Sequence, residues 1–343
     1  DDEIKKSISK IAYTLVEDFK NMEFFNESSF HFKGLDLLNS SEIFISDYSI
    51  RFQNFFNMKI EDIYEKERTI DDLISKQPLQ NEKNNSNDRD VNEFSDEVVG
   101  QKILSYAIGC MMGRYSLDEP GLIYAHAGNQ DFDASRYQKF PADADGIIPL
   151  TEMHRPEGDT FHRIQEFLTA VWGKDTLDAN MLWLAESLGK KANETSEDTI
   201  RRYLASKFYK DHMQTYKKRP IYWLFSSGKQ GAFQALVYLH RYNESTLARM
   251  RTEYVMPLIS KMAAMVNSLQ SEIENSDSAA EIKRKEKELQ NLHKQQAELS
   301  SFEEKLRHYA DQRITLDLDD GVKVNYGKFG DLLAEVKAIT GEK

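Results

Sequence analysis

Residues 278–311, SAAEIKRKEKELQNLHKQQAELSSFEEKLRHYAD, contain neither glycine nor proline. Ile282, Leu289, Leu292, Leu299, Phe302 and Leu306 fall close to a heptad seam along this run. A helix this long with a single apolar stripe gains most of its stability from packing that stripe against a partner. The sequence supplies one directly upstream. A second helical pattern covers 245–273, and the short ENSDSAA between the two reads as a reversal. An antiparallel coiled-coil hairpin over 245–311 is the natural reading. Its first arm carries KMAAMVNSL, whose methionines at helical spacing read as core packing.

Helical spacing is expected over 3–20 (Ile4, Ile8, Ile11, Leu15, Phe19), 47–76, 94–112, 159–171, 175–188 and 196–210. FFNESSFHFKGLDLL reads as an aromatic loop, and QPLQNEKNNSNDRDVN is too polar to bury much surface. Residues 113–150, rich in Gly, Pro and Asp, suggest short strands and loops. IYWLF at 221–225 is β-prone, SSGKQG is a turn, and GAFQALVYLHRY is expected to restart a helix. ITLDLDDGVKVNY alternates around a D-G pair and predicts a β-hairpin, closed by a last helix over 328–340. The expected fold class is α+β, mainly helical, with short strands, the long helical hairpin and a C-terminal β-hairpin plus helix. The expected divisions are an N-terminal helical segment (1–76), a polar linker (77–92), a mixed domain (93–244), the coiled-coil hairpin (245–311) and a closing hairpin and helix (312–343).

Composition excludes several classes. A single cysteine, Cys110, permits no internal disulfide framework and suits a reducing cytoplasm. It lies in ILSYAIGCMMG, an apolar setting that predicts a buried thiol. No apolar run approaches the roughly 18 residues of a membrane span. The opening DDEIKKSISK is no signal peptide, and its lack of Met reads as a piece of a longer protein.

Recognisable catalytic motifs are absent from the sequence. SSGKQG is not a phosphate loop, because Trp223 stands where the first glycine belongs and Gln230 where Ser or Thr should follow the lysine. G-x-G-x-x-G, H-E-x-x-H and C-x-x-C do not occur, and the eight histidines show no metal spacing. ADADG at 142–146 resembles the start of a calcium loop, but Ile147 and Ile148 occupy ligand positions. Glu335-Val336-Lys337 after Asp319 and Asp320 invites a nuclease reading, yet Glu335 falls in an expected helix. No catalytic, cofactor-binding or metal-binding residue is assigned.

Charge is unevenly distributed. Residues 1–100 hold 12 Lys and Arg against 22 Asp and Glu, a net of −10, while 201–262 hold 12 against 3, a net of +9. A basic band in an acidic chain points to a polyanion. The candidate DNA-binding residues are Arg201, Arg202, Lys217, Lys218, Arg219, Lys229, Arg241, Arg249 and Arg251. The competing reading is that these cations pair with the acidic first hundred residues. Tyr222, Trp223 and Phe225 read as strand residues behind the band.

SYAIGCMMGRYSLDEPGLIYAHAG, FPADADGIIPL, KRPIYWLFSSGKQGAFQALVYLHRY with TLARMRTEY, and LDDGVKVNYGKFG follow one another in order. Together they resemble the carboxy-terminal region of the phage-growth-limitation protein X family, the adenine-specific DNA methyltransferases of BREX phage-exclusion systems. The resemblance covers about residues 100–343. It is looser at ESSFHF (27–32), where related proteins carry E-T-S-W-D-F. It implies a parent that transfers a methyl group from S-adenosylmethionine to N6 of adenine, using an amino-terminal domain with a glycine motif and an N-P-P-Y-type motif. This chain has no adjacent prolines and no F-x-G-x-G. The resemblance therefore implies a non-catalytic DNA-binding and specificity region. The implied partners are double-stranded DNA, the parent's own methyltransferase domain, and other BREX proteins or a DNA-mimicking phage inhibitor. The alternative is an interaction scaffold that docks acidic proteins through the coiled coil and the basic band.

Overall fold

The computed structural model describes residues 6–15, 44–75, 95–150 and 159–341. The aromatic loop, ESSFHF and the polar linker lie outside the described residues. The fold is α+β and mainly helical, with one small antiparallel sheet. The chain forms two compact units: residues 1–108, 119–122 and 164–200 in the first, and 109–118, 123–163 and 201–343 in the second.

The first unit is helical. Beyond a helix over 6–15 (α1), it is built on α2 (Ile45–Ser75), most of α3 (Asp96–Met111), most of α4 (Thr160–Trp172), and α5 (Leu177–Ser187). The aromatic stripe Tyr48, Phe52, Phe56 of α2 is buried, and Tyr48 meets Trp172 edge-on at 6.4 Å. The start of α2 is tied by Ile45 N donating to Asn180 Oδ1 at 2.9 Å, which satisfies one of the amides a helix leaves unpaired at its N-terminus. Ser49 Oγ donates to Asp96 at 2.6 Å, joining α2 to the first turn of α3. Gly100 lets α3 approach α5, because a Cβ there would lie 2.3 Å from Ser187 Oγ.

The second unit centres on the sheet, in the order β1 (Ile147–Pro149), β3 (Gln234–Tyr238), β2 (Tyr222–Ser226). Trp223 pairs with Val237 and Phe225 with Ala235 in the antiparallel register. Trp223, Phe225, Ala235, Val237 and Ile147 share a core with Tyr326, Phe329 and the long helices. Tyr222 and Tyr238 point the other way and are also buried. Both sheet faces are covered, so the strands read as continuous apolar runs without the polar alternation of a half-exposed strand. That is why QALVY is a strand, where a helix was expected over GAFQALVYLHRY. A short apolar run does not reveal its period.

The region expected as a coiled-coil hairpin consists of two long helical stretches, the first of them interrupted. After α6 (Ser196–Ser206), α7 (Phe208–Thr215) and the sheet, the expected single helix over 245–273 is α8 (Thr246–Arg249), a π-helical turn (Met250–Val255) and α9 (Met256–Glu274). α10 (Ala279–Asp311) returns antiparallel, with Ser278 capping through its side chain to Glu281 N. Leu292, Leu299, Phe302 and Leu306 are buried in the same core as Leu258, Met262, Val266 and Leu269. Lys285 bridges Glu272 at 3.2 Å near the tip.

The C-terminal β-hairpin is a misreading. Leu318–Asp320 form a 3-10 turn and Gly321–Gly327 form α11. Side chains decide it: Asp317 accepts from Asp319 N at 3.0 Å, and Asn325 Nδ2 donates back to Asp317 O and Gly321 O. These local bonds offer the backbone an alternative to a strand ladder. The expected closing helix over 328–340 is only α12 (Val336–Thr340). Before it, Ala334 N donates to Leu224 O at 2.8 Å, so the tail covers part of the outer edge of β2.

Candidate nucleic-acid interface

The nine cations singled out in the sequence separate by environment. Arg241 is 1% exposed. Its Nε donates to Asn129 Oδ1 at 2.9 Å, its two Nη atoms donate to Asp143 O and Ala144 O at 2.6 and 2.8 Å, and it lies over the Phe132 ring at 3.8 Å. Gly146 suits its place beside it, because its φ is 72° and a Cβ there would sit 3.1 Å from Arg241 Cβ. The loop ADADG thus binds a cation after all, a guanidinium held by carbonyls. The placement of Arg241 among phosphate contacts is corrected by its burial.

Arg201 is similarly committed, forked onto Asp159 and over Phe161 at 4.9 Å. Arg251 donates to Glu303 of α10, and Arg249 pairs with Glu253 at 3.5 Å. Arg202 is half-buried on α6. The local excess of positive charge overstated the surface charge, because Arg201, Arg241 and Arg251 serve packing and internal pairs.

Lys217, Lys218, Arg219 and Lys229 remain exposed, and none pairs with a carboxylate among the described residues. The first three form the turn between α7 and β2. Lys217 and Lys218 both adopt the left-handed region, with φ of 49° and 61°. Their amides donate to Gln214 O and Met213 O, closing the end of α7. Two consecutive non-glycine residues there are costly, and strain of this kind concentrates at functional sites. The positive side chains also complement the C-terminal end of α7. Pro220 is buried and Trp223 Nε1 donates to its carbonyl at 3.0 Å, so the basic turn is seated on a rigid strand.

Lys229 lies at the opposite end of β2, on the SSGKQG turn. That turn is an anion nest with an internal occupant. Glu298 of α10 accepts from Ser227 Oγ at 2.8 Å, Gln230 N at 2.7 Å and Ala232 N at 3.2 Å. Gly228 makes this approach possible: its φ is 136°, and a Cβ would lie 2.8 Å from a Glu298 oxygen. A turn that resembles a phosphate loop therefore binds a carboxylate of the same chain.

Sequence reasoning missed the layer beneath the other sheet face. His212 is buried, and its Nε2 accepts the amides of Ile221 and Tyr222 at 3.2 and 3.1 Å. It stacks on Tyr222 at 4.7 Å. Burial, and then the nearby charge of Arg114, push its pKa down to about 3. This holds the start of β2, and with it the end of the basic turn. The signal was a lone histidine on α7, which has no sequence pattern of its own. Among the described residues, no group of three or more His, Cys, Asp or Glu is arranged to hold a metal ion. No helix among them is long and apolar enough to cross a membrane.

A mainly helical α+β chain that presents a basic turn on a buried aromatic strand is the class these features define. No family model matches the chain. It is 52% identical over 265 residues to the adenine-specific methyltransferase BrxX of Escherichia coli O9:H4 (strain HS), an alignment covering 75% of this chain and 22% of that protein. It is 42% identical over 240 residues to the adenine-specific methyltransferase PglX of Lacticaseibacillus casei (strain Zhang), covering 69% and 19%. The chain belongs to the PglX/BrxX family. It spans about a fifth of the length of these curated relatives.

Proposed function

We propose that this chain is the non-catalytic, carboxy-terminal DNA-binding and specificity region of a BREX-type adenine-N6 DNA methyltransferase used in phage defence in the cytoplasm. The parent protein uses S-adenosylmethionine, bound by its own amino-terminal methyltransferase domain. The observation that carries the DNA reading is the exposed turn Lys217–Lys218–Arg219, two of its residues in the left-handed region and all three without a carboxylate partner among the described residues. With Lys229 it supplies phosphate contacts. Such contacts position a duplex without reading its sequence. The alternative, a scaffold that docks acidic partners such as other BREX proteins or a DNA-mimicking inhibitor, draws on the groove between α9 and α10. That groove is lined by Ile259, Met262, Ala263, His293, Gln296 and Leu299.

Titrating a labelled duplex with the chain at several salt concentrations tests the first reading. Binding that weakens steeply with salt supports it, and no binding at low salt refutes it. Calorimetry with S-adenosylmethionine should give no heat of binding to this chain alone.

A further inference from the structure

Arg114 follows Gly113, whose φ of 75° turns the chain at the end of α3. Its backbone is pinned: the amide donates to Gly109 O, and the carbonyl accepts from Ile123 N, each at 2.9 Å. Its side chain is fixed as firmly. Nε donates to Tyr115 Oη at 2.9 Å and one Nη to Tyr238 Oη at 3.1 Å, and the guanidinium lies over both rings at 5.2 and 5.9 Å. Tyr238 Oη donates onward to Tyr124 O at 2.7 Å, which sets the orientation of the hydroxyl.

Two of the five N–H bonds of the fork are thereby used. Among the described residues, the other three have no acceptor and no carboxylate pairs with the charge. The contrast with the other arginines is direct. Arg201 has Asp159, Arg251 has Glu303, and Arg241 has an amide oxygen and two carbonyls. Among the described residues Arg114 has only two hydroxyls. Burial opposes its charge, yet a guanidinium stays protonated throughout the ordinary pH range.

The neighbouring histidines do not relieve the imbalance. Burial and Arg114 hold His212 and His240 neutral near pH 7, with pKa values of about 3 and 4. Because His212 Nε2 accepts two amides, its proton sits on Nδ1. That Nδ1 is buried and has no hydrogen-bond partner among the described residues, and neither has Nδ1 of His240. A preoriented guanidinium that spends two of its five N–H bonds on hydroxyls is prepared to receive an anion on the rest.

We propose that Arg114 receives a phosphoryl group, gripped by the uncommitted Nη edge of its guanidinium. A planar fork matches two oxygens on one centre. The exposed lysines of the same unit favour phosphate over carboxylate. The phosphate belongs either to a DNA backbone or to a small phosphorylated molecule.

The test follows the Arg114 Nε–Hε resonance of the unmutated chain by NMR, first with inorganic phosphate and then with a short duplex. The result expected is a saturable shift with inorganic phosphate. The variant R114K, which keeps the charge and loses the fork, should bind phosphate roughly tenfold more weakly. A shift with both probes assigns the site to the DNA backbone, and a shift with phosphate alone assigns it to a small phosphorylated ligand. A resonance unmoved by both overturns the proposal and makes Arg114 a purely structural cation. A chain that binds no duplex yet responds to phosphate keeps this site and loses the DNA reading.

Discussion

Glu298 on α10 accepts the backbone N–H of Gln230 at 2.7 Å, across 68 residues of sequence. With Ser227 Oγ and Ala232 N on the same carboxylate, this bond joins the tip of the β2–β3 hairpin to the long arm. Hydrogen bonds to a charged acceptor are worth about 1.5–3 kcal/mol each, and donors left buried without one are penalised. Glu298→Ala should therefore destabilise the chain by about 2 kcal/mol in denaturant unfolding. Amide exchange at Gln230 and Ala232 should accelerate with it. Unchanged exchange at both amides would show that the nest does not hold the turn.

The arm makes a second prediction. Leu299 is fully buried in the core that also contains Met262 and Val266. Leu299→Ala should cost about 2–5 kcal/mol, because it removes transfer energy and leaves a cavity. Leu289, at the same heptad spacing but only partly buried, should cost less. Equal effects from the two substitutions would mean that the seam is misassigned.

His212 predicts an acid limb. Its folded pKa, about 3, lies below the ordinary histidine value of 6.5. Between those values the unfolded chain binds more protons than the folded one, so stability rises with pH there. The contribution of neutral His212 is complete above about pH 6.5 and is lost as pH falls toward 3, by at most about 1.4 kcal/mol per pH unit. His212→Gln retains an acceptor for the Ile221 and Tyr222 amides and removes the titration. Its stability should fall less steeply between pH 6.5 and 4. An identical slope in both proteins would place the acid sensitivity elsewhere.

The helical arm was legible because a heptad seam without Gly or Pro has few alternatives. The same holds for α3, α4 and α5, whose apolar spacing and length agree. The errors lie where short segments depend on their surroundings. QALVY carries no period of its own and becomes a strand because β1 and β2 flank it. The D-G pair at Asp320–Gly321 became a helix start because Asn325 reaches back to Asp317. For the candidate interface, the sequence pointed to the basic turn but could not tell Lys217 from Arg241. A charge count registers both alike. What separates them is the loop of Asn129, Asp143 and Ala144 that closes around Arg241 from about a hundred residues away. Arg114 escaped notice for the same reason, since its lack of a counter-ion among the described residues is a property of the folded unit.

The most direct test of the central claim compares the salt dependence of duplex binding in the parent chain and in the triple variant Lys217→Ala, Lys218→Ala, Arg219→Ala. Four exposed cations at about 0.9 per phosphate predict a slope of log K against log salt of roughly −3 to −4, made steeper by about one if Arg114 also meets the backbone. The triple variant should be flatter by about one for each phosphate it no longer neutralises, and should bind all sequences more weakly to the same degree. Arg241→Lys, at the buried position, should lower stability and leave the slope unchanged. A triple variant that binds duplex DNA with the parent's affinity and slope would contradict the account.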